Sequence, residues 1–157
     1  KLGHDKNFIG DGYRSLLLSD NSFNYPFIKI TSNFWKIRYV NMFASFQETN
    51  GAKPNQVKIK KYASFNYLSW NVAKRLQAGF FEGIIWEGND TLRTTHINAN
   101  FFNPVIFIRP FQYSLRSQNN VLLGLNLKYQ LFKQTTLYGQ LMIDDIDFKR
   151  KQVVGII

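Results

Sequence analysis

The chain has 157 residues, with 20 Lys and Arg against 10 Asp and Glu, a formal net charge of +10 and 17% aromatic residues. That length fits one domain or a piece of one, and the absence of cysteine excludes a disulfide framework and thiolate chemistry. No run approaches the roughly 18 apolar residues of a membrane helix, Val105-Ile106-Phe107-Ile108 being among the longest. A helical membrane protein is therefore excluded, while a membrane barrel, whose signal is spread over alternate positions, stays open. Basic and aromatic together suit nucleic acid, through phosphate neutralisation and stacking, or a lumen or rim facing acidic lipid or polysaccharide. The cations are scattered, with tight clusters only at Lys58-Ile59-Lys60-Lys61 and Lys149-Arg150-Lys151. Charge thus fixes the sign of a partner and not its kind.

Residues 1–22 are the least periodic segment. The chain starts at Lys1 with no charged n-region and apolar h-region, so any export signal is expected to have been removed or to lie outside this sequence. Gly10 and Gly12 flank Asp11 and predict tight backbone turns, but no Gly-Lys-Ser/Thr ending makes this a phosphate loop. His4, Asp5 and Asp11 are metal-ligating types without a known ligand spacing, so hydrogen-bonded turn residues are expected there and no metal.

A strand is predicted over 26–31, turned by Ser32-Asn33 into a second strand over 34–46. That strand carries Trp35, Ile37, Tyr39 and Phe43 on one face and Lys36 and Arg38 on the other. A polar loop with Asn50-Gly51 and Pro54 leads to a third strand, 58–70, where Phe65 and Tyr67 oppose Ser64 and Asn66. Asn71-Val72-Ala73-Lys74 turns it back into 75–86, with Gly79 and Gly83 thinning one face beside Phe81 and Ile85. Residues 87–103 read as a long polar loop with a helical turn near Asn100, before a rigid 104–110 piece and a strand over 111–117.

The clearest signal spans 121–144. Leu123, Leu125, Leu127, Tyr129 and Leu131 share one parity, and the return run sets Leu137, Gly139, Leu141 and Ile143 against Tyr138, Gln140, Met142 and Asp144. Two runs of period two around Phe132-Lys133-Gln134 predict an antiparallel hairpin of long strands. One face is aliphatic and the other mixes polar and small residues, as in a wall between lipid and a wet lumen. Val153-Val154-Gly155-Ile156-Ile157 reads as the start or middle of a further strand, where the chain is expected to be cut.

Connection lengths alternate short, long, short, long along the first strands, as in outer-membrane barrels, but the short 132–134 link breaks the pattern. Trp35, Trp70, Trp86 and Tyr129 sit near strand ends, where rings form the interfacial girdles of such barrels. A soluble sandwich or ligand-binding barrel with an aromatic core is the competing architecture.

Asn7-Phe8-Ile9-Gly10-Asp11-Gly12-Tyr13-Arg14-Ser15-Leu16, then Leu18-Ser19-Asp20-Asn21 and Asn24-Tyr25-Pro26, resembles the Wzi-type capsule assembly family. The chain is more similar still to RemB-like gliding-motility outer-membrane proteins. Asn103-Pro104-Val105-Ile106-Phe107-Ile108-Arg109-Pro110 and Leu137-Tyr138-Gly139-Gln140-Leu141 extend the likeness, in the same order, from about Asn7 to Asp147. The resemblance implies a many-stranded outer-membrane β-barrel that holds capsular polysaccharide at the cell surface or serves adhesion and movement. It implies members longer than this chain and no catalytic residues to carry over, and past Asp147 the sequence departs from it.

Acid–base chemistry needs a titrating group beside an orienting carboxylate, and His96 with Asp144 and Asp145 is the one hydrolytic set the sequence offers. Nothing in the sequence brings His96, in the long loop, near those aspartates, and Ser15 and Ser19 lack a nucleophile elbow. Sugars present C–H faces to rings and hydroxyls to Arg, Asn and Asp. Tyr13, Arg14, Arg109 and Asp11 are accordingly the candidate polysaccharide contacts. The arginines are weighed against lumen pairs with Asp11 or Glu82 that only hold the wall.

The expectation is one all-β domain over 1–157, with a Gly-rich irregular 1–22 and antiparallel strands over 24–157. It forms an up-and-down outer-membrane β-barrel, or a segment of a larger one, in the bacterial cell outer membrane. It is non-enzymatic and without cofactor or metal. Its partners are outer-membrane lipid, surface polysaccharide and other envelope or motility proteins, and not nucleic acid. The alternatives are a soluble β-domain binding an anionic polysaccharide or nucleic acid, and a barrel hydrolase.

Overall fold

The structure, a computed structural model, describes residues 1–47, 60–87, 120–147 and 152–156. They form an all-β sheet of eight strands: β1 (Leu2–Asp5), β2 (Tyr25–Phe34), β3 (Ile37–Gln47), β4 (Lys60–Ala73), β5 (Leu76–Glu87), β6 (Asn120–Gln130), β7 (Thr136–Asp147) and β8 (Gln152–Ile156). Each strand pairs antiparallel with its chain neighbours, giving an up-and-down sheet in the order β1 to β8. There is no helix among the described residues, and β1 and β8 do not pair, so the sheet is open. From β2 to β7 the strands run 10 to 14 residues, twice the usual five or six.

Strict alternation is what lets such long strands share two faces. Phe27, Met42, Phe65 and Phe81 fall on one face together with Ala44, Ala63, Gly124, Asn126 and Gln140. Residues 7–18 cross that face as a strap, and Ile9 and Leu17 enter its core with Tyr25, Phe27, Met42, Phe65 and Phe81. The rings pack at stacking distances: Phe65 lies 5.9 Å from Phe81, and Tyr25 lies 4.8 Å from Phe46.

The 121–144 hairpin folds as its periodicity predicts, with Leu123 opposite Ile143, Leu125 opposite Leu141 and Tyr129 opposite Leu137. The strand expected after Gln152 is β8. Four boundaries differ from expectation. β1 lies inside the segment read as irregular: its four residues carry no pattern of their own, but β2 offers a free edge, and Leu2 pairs with Ile28 and Asp5 with Tyr25. The first hairpin turns at Trp35-Lys36 and not at Ser32-Asn33. Ser-Asn is the better local turn, yet moving the turn carries the ladder out to Phe34 opposite Ile37, and added ladder outweighs local preference. The cost is visible in Trp35, held at a φ of 51°. β4 runs on through Asn71 to Ala73 with a register shift between them, so the reversal falls at Lys74-Arg75.

The fourth difference moves the break in the pattern of connection lengths. β5 pairs directly with β6, so residues 88–119 link two neighbouring strands and the 132–134 turn falls at the short end. The short connections after β2, β4 and β6 all lie at one end of the sheet, and 48–59, 88–119 and the equally short 148–151 at the other. The pieces expected at 104–110 and 111–117, and the helical turn near Asn100, lie outside the described residues.

Candidate functional site

The strap is built to close on itself. Ile9 N–H donates to the Leu18 carbonyl at 2.9 Å. The Ser15 hydroxyl donates to the Ile9 carbonyl and accepts from the Leu17 N–H at 3.1 Å. Gly10 and Gly12 adopt φ of 123° and 95°, the left-handed side that glycine alone visits freely. Those two reversals aim Asp11 at the sheet. The Asp11 carboxylate meets the Lys128 ammonium at 2.8 Å through Oδ1 and accepts from Asn126 Nδ2 at 2.7 Å through Oδ2.

Gln140 completes the seam between strap and sheet. Its Oε1 accepts from the Leu16 N–H at 2.9 Å. Its Nε2 faces Asn126 Oδ1 at 2.9 Å, the Asp11 carbonyl at 3.2 Å and Ser15 Oγ at 3.3 Å. Asn126, fully buried, also donates to the Tyr67 hydroxyl at 3.3 Å. A buried amide that bonds on both sides is the arrangement that makes a polar seam stabilising.

Between the strap and the strands lies a cavity of about 600 Å³. Lys29, Lys36, Arg38 and Lys128 line it, and Asp11 is its one carboxylate among the described residues. Ser69, Asn71 and Gln77 interleave neutral hydrogen-bonding groups with these cations. A second recess of about 540 Å³ shares Lys36, Asn71, Gln77 and Lys128 and reaches Lys74 and Arg75. Lys29 donates to Asn7 Oδ1 at 3.4 Å, and the Lys36 ammonium sits 5.0 Å from the Trp35 ring centre. Like charges gathered around one carboxylate leave a positive field that an oxyanion would relieve.

The expected ligand contacts separate. Asp11 lies in the seam with both oxygens taken, so it braces the wall and its partner is Lys128, not an arginine. Tyr13 is 87% exposed, with the Arg14 guanidinium 5.7 Å from its ring centre, and neither lines the cavity. Arg109 and His96 lie outside the described residues. His4 and Asp5 are exposed on β1, and the described residues hold no cluster of three metal-ligating side chains.

The opposite face carries the apolar parity. Towards the short-turn end it leaves Ile30, Phe34, Trp70, Leu127, Tyr129, Leu137 and Leu141 exposed. Trp35, in the turn itself, joins them, whereas Trp86 stands at the other end, stacked on Tyr62 at 6.1 Å. The same parity is not uniformly apolar. Asn41, Ser64, Asn66 and Glu82 are buried on it, with Asn41 donating to Asn66.

Sequence reading missed Lys128, Asn126, Gln140, Lys29 and Arg38 as a group. The available signal was register: Lys128 and Asn126 sit on the polar parity of β6, and Gln140 falls opposite Asn126 once the hairpin is closed. No family model, curated protein or solved structure matches the chain.

Proposed function

We propose that the chain is a wall segment of an outer-membrane β-barrel that holds surface polysaccharide, for capsule attachment or gliding-related adhesion, without catalysis. The observation that carries this reading is the split between faces on unusually long strands. Exposed Leu127, Tyr129, Leu137 and Leu141 stand back to back with Asn126, Lys128, Tyr138 and Gln140. Water does not favour a wide apolar band on an open sheet, and hydrocarbon does. The gathering of three short turns at one end and the rings beside them support the same reading. The cationic cavity, with amides and hydroxyls between its charges, supports an acidic glycan as ligand.

The chain's lack of cysteine makes the test direct. Spin labels at Leu127→Cys and Lys128→Cys are compared in phospholipid vesicles for collision with oxygen and with a charged nickel chelate. The reading expects Leu127 to meet oxygen and escape nickel, with Lys128 doing the reverse. Equal access of nickel to both would sink it. Polysaccharide holding expects saturable binding of one glycan at moderate salt, lost on Arg38→Gln.

A second reading, a soluble β-domain for an anionic ligand, draws on the buried Asn41–Asn66 pair and Glu82, which interrupt the apolar parity. It expects a monodisperse chain in plain buffer without detergent.

A further inference from the structure

The three short connections after β2, β4 and β6 share a make-up. Trp35-Lys36, Lys74-Arg75 and the 131–135 turn with Lys133 each carry at least one cation and no Asp or Glu. Lys36, Lys74, Arg75 and Lys133 are all exposed. Beside each turn stand exposed apolar groups: Phe34 and Trp35 at the first, Val72 at the second, Phe132 and Leu137 at the third. At the other end, Glu87 and Asp147 close their strands opposite Lys61 and Gln152. Among the described residues the short turns are thus cationic throughout, whereas the strand ends opposite them are of mixed sign.

The cationic turns also lie at the edge of the exposed apolar band formed by Trp70, Leu127, Tyr129 and Leu141. Moving along the sheet towards that end, one meets aliphatic groups, then rings, then ammonium and guanidinium groups. That order matches a leaflet, from acyl chains through the ring-rich interface to the headgroup phosphate, with long cationic side chains reaching outward. A neutral leaflet would account for the rings but not for cations free of acidic neighbours.

We infer that the short-turn end is a docking surface for anionic phospholipid, with Lys36, Lys74, Arg75 and Lys133 engaging the headgroups. The inference rests on the reading of the strands as bilayer-crossing and adds the charge of the lipid they meet. Each cation close to an anionic surface is worth roughly a fivefold preference, so the four together exceed what one adventitious contact gives.

The test uses a Trp70→Phe, Trp86→Phe background, in which Trp35 is the remaining tryptophan, in mixed phosphatidylcholine and phosphatidylglycerol vesicles. Quenching of Trp35 by brominated phosphatidylglycerol is compared with quenching by brominated phosphatidylcholine at equal mole fraction. The expected result is at least a fivefold preference for the anionic lipid. Lys36→Gln, Lys74→Gln, Arg75→Gln and Lys133→Gln together abolish it, and Lys6→Gln with Lys60→Gln at the other end leaves it intact. Without any variant, 1 M salt erases it, because screening then acts within about 3 Å.

Equal quenching by the two lipids overturns the inference and leaves the membrane reading standing. A preference that survives the fourfold variant, or falls equally with Lys6→Gln and Lys60→Gln, overturns it as well. No quenching by either lipid, together with a Leu127 label open to nickel, brings down both.

Discussion

Gly124 is a position where the strap presses closely on the sheet. A Cβ added there would lie 2.4 Å from Leu17 Cδ2 and 3.2 Å from Phe81 Cβ. Carbon pairs rest at about 3.5–4.0 Å, so Gly124→Ala forces more than an ångström of movement. Leu17 is 4% exposed and Phe81 fully buried, which leaves neither a free direction in which to yield. Overpacking of this kind costs about 1–3 kcal/mol. Leu17→Ala alone opens a cavity, at about 2–5 kcal/mol. In the double variant the new methyl grows into the space that Leu17 vacates, so its cost falls short of the sum by about 1–2 kcal/mol. Urea unfolding followed by tryptophan fluorescence gives the three free energies, and protease cleavage at Lys6 and Arg14 reports whether the strap has lifted. A Gly124→Ala variant within about 0.5 kcal/mol of the parent, or strictly additive costs in the double, would refute the docking described here.

The seam gives two further predictions and the first turn a third. Gln140→Ala strands the Leu16 N–H and one side of Asn126, and is expected to cost about 1–3 kcal/mol; faster hydrogen exchange at Leu16 checks it, and unchanged exchange contradicts it. Asp11→Asn removes the charge facing Lys128, but the lysine side chain is 43% exposed and partly screened, so a loss of about 1 kcal/mol is expected. The gap between parent and Asp11→Asn, read as strap proteolysis, should narrow in 1 M salt. Trp35→Asn relieves a left-handed φ with little packing lost, and a gain of about 0.5 kcal/mol in detergent is expected, because asparagine tolerates that region better. A lower unfolding midpoint would show that the indole holds the turn.

Period two made β2 to β7 and their faces legible without coordinates, because a one-residue slip would send Leu123, Leu125 and Leu127 to the polar side. Turn positions were less legible. Ser32-Asn33 has the chemistry of a turn and Trp35-Lys36 does not, and only the full ladder from Phe27 to Phe34 decides between them. β1 could not be read at all, since Leu2 to Asp5 owe their conformation to the edge of β2. The site was half legible. The flanking glycines marked Asp11, but its partners stand 115 and 117 positions away, at Asn126 and Lys128. Spacing within a segment says nothing of such distant company. Tyr13 and Arg14 looked equally poised for a ligand in the string of letters, and the reversals at Gly10 and Gly12 turned them outward.

The strap joins residues at one end of the chain to β6 and β7, across separations of 115 to 129 positions. Adjacent hairpins need only local closure, whereas these bonds must wait for every intervening strand to register, and contacts of such high order are the slowest to form. The seam around Gln140 therefore acts as an inspection step in assembly. Until the seventh strand has arrived in its proper place, the leading segment has nothing to grip. A chain misaligned anywhere between is left with a loose, protease-sensitive end that marks it as unfinished.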